Sequence, residues 1–189
     1  MNNEERLRLM ARSSKWFMPA LRAARELGLA SWCLGAGAVR NLVWDALHGY
    51  PTPTRLADLD LAYFDASDLD PQRELELQHR LCTAMPEMPW EVTNQASVHH
   101  WFERHFGHAV EPLQSLYHAV GTWPEYATAV GLRLRPDDTI EIIAPHGLDD
   151  LFNCVIRRNP VRVSLDTYRM RIEQKKYALR WPRVTVINP

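Results

Sequence analysis

Apolar and polar positions follow two different spacings along the chain, and the changes between them predict an order of strands and helices. After residue 37, apolar residues recur at helical spacing (Val39, Leu42, Val43 and Leu47), and Gly49 ends the stripe. Short apolar or alternating runs predict strands at 31–34, 58–64, 90–94, 129–134 and 139–143. The remaining periodic segments predict helices at 4–14, 19–28, 71–85, 148–156 and 165–178.

This order of elements indicates the fold class. Strands and helices alternate over the first half, whereas the strands at 129–134 and 139–143 are joined only by Arg-Pro-Asp-Asp, a hairpin signal. Crossover and hairpin connections in one chain predict a mixed sheet packed with helices, an α+β (mixed α/β) fold. The composition changes near Pro160, so we predict a core at 1–159 and a basic helical segment at 160–189 within the same compact unit.

Size and composition narrow the class of protein. A chain of 189 residues suits one domain with a sizeable core, and no stretch approaches the roughly 20 apolar residues of a membrane span. The three cysteines (Cys33, Cys82 and Cys154) are odd in number and widely spaced, which argues against a disulfide framework. The polar N-terminal residues resemble no signal peptide, so we expect a cytoplasmic protein.

Charge is distributed unevenly although the net charge is only −1. Nine Lys or Arg residues and two acids lie between Arg157 and Arg183, and the rest of the chain is acidic. Such a segment can contact a polyanion or can be a solvated helix face. Trp181, inside this segment, is the tryptophan that we would test for stacking on nucleic acid.

The stretch Gly35-Ala36-Gly37 follows a predicted strand and opens a predicted helix, a place where backbone N–H groups bind phosphate. A dinucleotide loop would need a third glycine where Arg40 stands, and an acid at the end of the next strand. Asp58 has about the right offset but precedes the apolar run 59–64 instead of ending it. A dehydrogenase therefore fits poorly.

The tripeptide Asp58-Leu59-Asp60 suggests a different chemistry. Residues i and i+2 of a strand face the same side, with Cα atoms about 6–7 Å apart, so both carboxylates can hold one divalent cation. A hard ion such as Mg²⁺ prefers these oxygen ligands together with substrate phosphates. A solvated edge strand would also explain the tripeptide on its own, but the preceding glycine loop favours the metal site.

The combination resembles the DNA polymerase β-like nucleotidyltransferase superfamily. Leu34-Gly-Ala-Gly-Ala-Val-Arg-Asn41 is similar to the glycine loop of CCA-adding tRNA nucleotidyltransferases, and Asp58-Leu-Asp60 matches the superfamily's metal-binding pair. The chain is more closely similar to a bacterial nucleotidyltransferase family of about this length. That resemblance extends over most of the chain, through 32–65, 90–96, 123–125, 129–133, 140–145, 147–152 and 180–182. One departure is Ala36, which separates Gly35 from Gly37 where the superfamily usually has two adjacent glycines or Gly-Ser.

The resemblance implies a third carboxylate on a neighbouring strand. In the tRNA enzymes it is a glutamate on the second strand of a hairpin, a place that Glu141 matches in this sequence. Glu91 lies in a similar strand setting and is the alternative. We favour Glu141, so the expected catalytic and metal-binding residues are Asp58, Asp60 and Glu141.

The expected activity follows from the same resemblance. It implies Mg²⁺- or Mn²⁺-dependent transfer of a nucleoside monophosphate from a nucleoside triphosphate, with the phosphates on Gly35, Ala36, Gly37, Ala38 and Arg40. Arg40 could instead be a surface residue paired with Asp45. The acceptor can be RNA, protein or a small molecule such as an aminoglycoside, and the oligomeric state is open. The alternative is a non-catalytic nucleotide- or RNA-binding protein, such as an antitoxin-like partner.

Overall fold

Five strands form the central sheet of the protein, for which a computed structural model describes residues 1–188. The strands are β1 (Trp32–Gly35), β2 (Leu59–Tyr63), β3 (Trp90–Asn94), β4 (Gly131–Leu134) and β5 (Ile140–Ile143), in the order β3-β2-β1-β4-β5. Only β2 and β3 are parallel, and the other neighbouring pairs are antiparallel. The predicted mixed sheet is thus confirmed.

Helices surround this sheet, and none in residues 1–188 is long and apolar enough to cross a membrane. They are α1 (Asn3–Ser13), α2 (Phe17–Arg25), α3 (Gly37–His48), α4 (Pro71–Ala84), α5 (His99–Phe106), α6 (Leu116–Gly121), α7 (Asp149–Phe152), α8 (Leu165–Lys175) and α9 (Tyr177–Arg180). Their ends follow local chemistry: Asp70 caps α4 through the Gln72 N–H, and Gly49 ends α3 at a φ of 65°.

The predicted helix at 148–156 is wrong over its second half. Helix α7 ends at Phe152, and Val155–Ile156 forms strand β6, which pairs in parallel with β7 (Thr185–Val186). Cys154 connects the two elements at a φ of 55°. Pairing with a strand 30 positions away is a tertiary effect that local apolar spacing does not record.

The C-terminal segment packs against the rest of the chain. Tyr168, Tyr177 and Trp181 are fully buried and belong to the same hydrophobic core as the sheet. The Trp181 indole N–H donates to an Asp45 carboxylate oxygen on α3 at 2.8 Å. Because Trp181 is buried in this way, the expectation that it could stack on nucleic acid is wrong.

Candidate active site

A cleft of about 280 Å³ lies where β2, β3 and the start of α3 meet. Asp58, the residue just before β2, and Asp60, within β2, both line the cleft. Glu91 lines it from β3. The opposite face of β2 is apolar, because Leu59, Leu61 and Tyr63 are buried in the core. Strand alternation therefore directs both aspartates into the cleft, as the sequence predicts.

Asp60 and Glu91 are direct neighbours across the parallel pair of strands. Burial and, to a smaller extent, the negative charges of Asp58 and Glu91 together raise the pKa of Asp60 to about 7. Within residues 1–188, none of these three carboxylates forms a salt bridge. A cation in the cleft would offset this repulsion.

The start of α3 forms the second wall of the cleft. A Cβ atom added at Gly37 would lie 3.8 Å from Asp58 Oδ1 and 3.5 Å from Arg40 Nη2, so the first helical turn adjoins the carboxylates directly. No side chain caps this helix. The N–H groups of Gly37 and Ala38 are therefore free in the described part of the chain to bind an anion.

Gly35 and Ala36 lie at the turn that joins β1 to α3, and the Ala36 N–H is already used within the backbone. Gly35 is paired with Gly131 in the sheet, and a Cβ at Gly35 would lie 2.6 Å from the Trp123 ring. The Ala36 N–H donates to the Val130 carbonyl at 3.2 Å. The Ala36 N–H is thus not available for the phosphate contact expected of it, whereas the N–H groups of Gly37 and Ala38 are available.

Ala36 has a backbone conformation that is unfavourable for an L-amino acid with a side chain. Its φ is 51° and its ψ is −120°, outside the left-handed region that Asn and Asp occupy most readily. This is the position where the sequence departs from the adjacent glycines of the superfamily. The sharp turn between β1 and α3 is therefore kept, at the expense of backbone strain.

Arg40 is buried and faces the cleft. Its guanidinium lies 5.2–5.8 Å from the ring centroids of Trp44, Tyr177 and Trp181, and Nη2 donates to Asn41 Oδ1 at 2.8 Å. Burial lowers its pKa, and Arg40 Nε is buried without a partner. The alternative of a surface pair with Asp45 is wrong for this residue.

The basic C-terminal segment contributes two more cations to the cleft, Arg171 and Lys175 of α8. Arg171 forms two hydrogen bonds, at 2.7 and 3.1 Å, to the fully buried Glu125 carboxylate. Lys175 forms no salt bridge among residues 1–188. Sequence reasoning noticed the basic segment but not these two residues, because only packing brings α8 over the sheet.

Glu141, the preferred third carboxylate, is not brought to the cleft. It lies on β5, three strands from Asp60, which is about 14 Å at the usual strand spacing. Arg133 Nη2 and Arg135 Nε both contact Glu141 Oε2, at 2.8 and 3.2 Å. The position that lines the cleft beside Asp60 is Glu91, the alternative.

The carboxylates fit a divalent cation by their chemistry but do not form a closed cage. Among residues 1–188, no set of three or more His, Cys, Asp or Glu side chains is gathered closely enough to hold a metal ion. Mg²⁺ is commonly held by one or two carboxylates plus substrate phosphates and water. Asp58 and Asp60 beside an anion-binding helix start are suited to that mode.

Comparison with known proteins places the chain in a family. A family model described as nucleotidyltransferase matches residues 22–186. Comparison with curated proteins gives no match. An NMR structure that reveals a CCA-adding enzyme head domain is 30% identical, with a TM-score of 0.83, and the alignment covers 99% of this chain and 97% of that one.

Larger enzymes share the fold over part of their length. The Thermotoga maritima CCA-adding enzyme complexed with tRNA is 13% identical with a TM-score of 0.53, and the match covers 99% of this chain and 40% of that one. A CCA-adding enzyme in apo form II is 14% identical with a TM-score of 0.52, at 99% and 42% coverage. The chain thus spans about two fifths of these enzymes. With its polymerase β-like fold, the protein belongs to the nucleotidyltransferase family and is a transferase.

Proposed function

We propose that the protein transfers a nucleoside monophosphate from a nucleoside triphosphate to an acceptor hydroxyl, with Mg²⁺ or Mn²⁺. One observation carries this proposal: a single cleft combines an uncapped helix start, a buried arginine and three carboxylates. The helix start and the arginine suit phosphates, and the carboxylates suit a divalent cation. A dinucleotide site would require one acid and a purely basic nucleic-acid groove none, so neither accounts for three carboxylates in one cleft.

The triphosphate is placed by the α3 side of the cleft. The N–H groups of Gly37 and Ala38 bind the outer phosphates, with the positive end of the helix dipole behind them. Arg40 and Lys175 supply cationic donors to the same phosphates. Arg40 suits this role because its guanidinium is buried without a carboxylate partner in the described residues.

The carboxylates act at the reacting phosphorus. Asp58 and Asp60 would hold the divalent cation, with Glu91 as the third carboxylate in place of Glu141. The cation, when bound, neutralises charge on the phosphates and favours ionisation of the acceptor hydroxyl. Glu91 is the carboxylate placed to accept the hydroxyl proton, because it lies beside Asp60 and is exposed to the cleft.

The test is transfer of a labelled nucleotide. The purified protein is incubated with each α-labelled triphosphate, Mg²⁺ or Mn²⁺, and a cell extract. We expect label on one acceptor class, and we expect that label to disappear in the Asp58→Asn/Asp60→Asn double variant and to remain in Glu141→Gln. Transfer that survives in the double variant would overturn this site.

The non-catalytic alternative gives a different result in the same samples. A nucleotide- or RNA-binding protein on this fold would bind the triphosphate or RNA without moving label. It would also keep that binding when Asp58 and Asp60 are changed to alanine. Calorimetric titration of the wild type and the Asp58→Ala/Asp60→Ala variant with a triphosphate in Mg²⁺ therefore separates the two functions.

A further inference from the structure

A second cavity adjoins the cleft on the side of Glu91. It has a volume of about 250 Å³ and shares six residues with the cleft: Glu91, Thr93, Gln95, Trp123, Pro124 and Arg171. It does not touch the α3 start or either aspartate. Beyond the shared residues its walls are mostly apolar and aromatic, formed by Val98, Trp101, Phe102, Phe106, Leu113 and Val163.

The direction of the proposed reaction gives this cavity a role. In phosphoryl transfer the attacking oxygen enters opposite the leaving group, so the two oxygens are roughly in line. The leaving pyrophosphate lies at the Gly37 and Arg40 end of the cleft. The acceptor must then approach from the other end, where Glu91 and the second cavity lie.

The chemistry of the walls indicates which acceptor fits. Arg162 lines the cavity, its guanidinium carbon is 5.5 Å from the Phe102 ring centroid, and its Nη1 is buried without a hydrogen-bond partner. A buried unpaired donor of this kind favours an anionic or strongly accepting group on the ligand. Trp101 and Phe102 offer ring surfaces for a planar body.

Size and charge disfavour the other acceptors. Ligand pockets for drug-sized molecules are roughly 300–1,000 Å³, so this cavity suits one ring or two fused rings. A polycationic aminoglycoside would be repelled by the positive charge of the Arg162 guanidinium. An RNA end would need space for its backbone. Arg162 Nη2 donates to the Glu111 carbonyl, and this hydrogen bond crosses the cavity wall on the side away from the cleft, where that backbone would leave.

We propose that this cavity binds the acceptor, a small planar aromatic compound that carries a hydroxyl and an anionic group. The inference depends on the proposed function. The hydroxyl oxygen forms a bond to the α-phosphorus, the bond between that phosphorus and the α–β bridging oxygen breaks, and pyrophosphate leaves. The hydroxyl proton passes to Glu91 and then to water. The anionic group of the acceptor pairs with Arg162.

The test uses two naphthalene probes of matched shape and different charge, together with a cationic phenol and an RNA. ¹⁵N-labelled full-length protein is titrated with 3-hydroxy-2-naphthoate, with neutral 2-naphthol, with cationic tyramine and with a short single-stranded RNA. We expect the naphthoate to shift the indole N–H signals of Trp101 and Trp123 and to bind about tenfold more tightly than 2-naphthol, the size of one charged hydrogen bond. Tyramine and RNA should leave both signals unshifted.

Two variants and one control locate the contacts. Arg162→Gln should remove the preference for the naphthoate, whereas Arg169→Gln, on an exposed part of α8, should not change it. Trp101→Ala should weaken both naphthalene compounds equally. Trp101 is 36% exposed, so this variant should fold and still tests the cavity if the arginine variant does not fold. Equal binding of tyramine, or displacement by RNA alone, would overturn the assignment.

A parallel titration keeps this inference apart from the proposed function. Each sample is also titrated with a non-hydrolysable α,β-methylene triphosphate and Mg²⁺, and neither cavity variant should change that affinity. If the triphosphate binds and no ring compound does, the acceptor cavity is disproved and the transferase site stands. If ring compounds bind and the triphosphate does not, the proposed function fails, and with it the acceptor role.

Discussion

Two glutamates on one face of the same sheet have opposite surroundings. Glu91 on β3 is paired across the strands with Asp60, an acid beside an acid. Glu141 on β5 is paired across the strands with Arg133, an acid beside a base. Between them the face is apolar, with Cys33, Ala62 and Ile143 in one buried cluster.

The difference shows how a structural acid can be told from a functional one. At Glu141 partial burial opposes ionisation, but hydrogen bonds and positive charge from Arg135 and Arg133 prevail and lower its pKa. At Asp60 burial and like charge act together and raise the pKa to about 7. Glu141 is satisfied by its two arginines, whereas at Asp60 the charges of Lys175 and Arg171 do not outweigh burial and repulsion, which a bound cation would offset.

The largest expected effect is on catalysis at Glu91. Glu91→Gln removes the proton acceptor while keeping the shape, so the initial rate of label transfer should fall by about 10²- to 10⁴-fold. Glu141→Gln is the matched control and should change that rate by less than about threefold, since its ion pair is partly exposed. If Glu141→Gln slowed label transfer more than Glu91→Gln, Glu141 would be restored as the third carboxylate.

The second effect is a gain in stability at Asp60. Its folded-state pKa of about 7 lies above the ordinary 3.8, so the destabilisation is full above about pH 7 and absent below about pH 4. Asp60→Asn removes this repulsion and should raise the free energy of unfolding by about 2 kcal/mol at pH 8, after a discount for partial exposure. Urea denaturation at pH 8 and pH 4, in chelator, measures it.

Added Mg²⁺ sharpens the same comparison. Millimolar Mg²⁺ should raise the free energy of unfolding of the wild type at pH 8. It should leave that of Asp60→Asn unchanged, because the variant lacks one of the two carboxylates proposed to hold the cation. A gain at pH 4 equal to that at pH 8 would show that charge repulsion is not the cause.

The third effect concerns the backbone beside the cleft. Ala36→Gly relieves the strain at a φ of 51°, a gain of about 1–3 kcal/mol that the extra freedom of glycine in the unfolded chain reduces to about 1 kcal/mol. Ala38→Gly, within α3, should instead destabilise by about 1 kcal/mol. Thermal and urea unfolding of both variants measure the sign of each change in stability. A loss of stability in Ala36→Gly would contradict the proposed backbone strain.

The smallest effect is on stability at Glu141. Its pKa is lowered in the folded state, so its contribution is present above the unfolded-state pKa and is lost as pH falls through the folded-state value. Glu141→Gln should therefore destabilise by about 0.5 kcal/mol at pH 7 and by almost nothing at pH 3. Urea midpoints at the two pH values test this, and a cost that is independent of pH would point to packing.

Much of the fold could be predicted because its signals are local. Strand β3 occupies its predicted span, 90–94, and α4 begins after its Asp70 cap as the sequence indicates. The helix predicted at 148–156 failed because β6 exists only by pairing with β7. Resemblance to tRNA enzymes favoured Glu141, but it could not show which strand lies beside β2.

The sequence by itself determined most of the helices and strands, the family and the two short motifs of the cleft. Gly-Ala-Gly before a helix and Asp-Leu-Asp at a strand are local patterns, and their chemistry follows from helix ends and strand alternation. Only the tertiary structure decided which distant side chains complete the site. Sheet order places Glu91 beside Asp60 and Glu141 three strands away, and packing of α8 brings Arg171 and Lys175 over the cleft. Those choices depend on contacts between residues far apart in the chain, which no local spacing encodes.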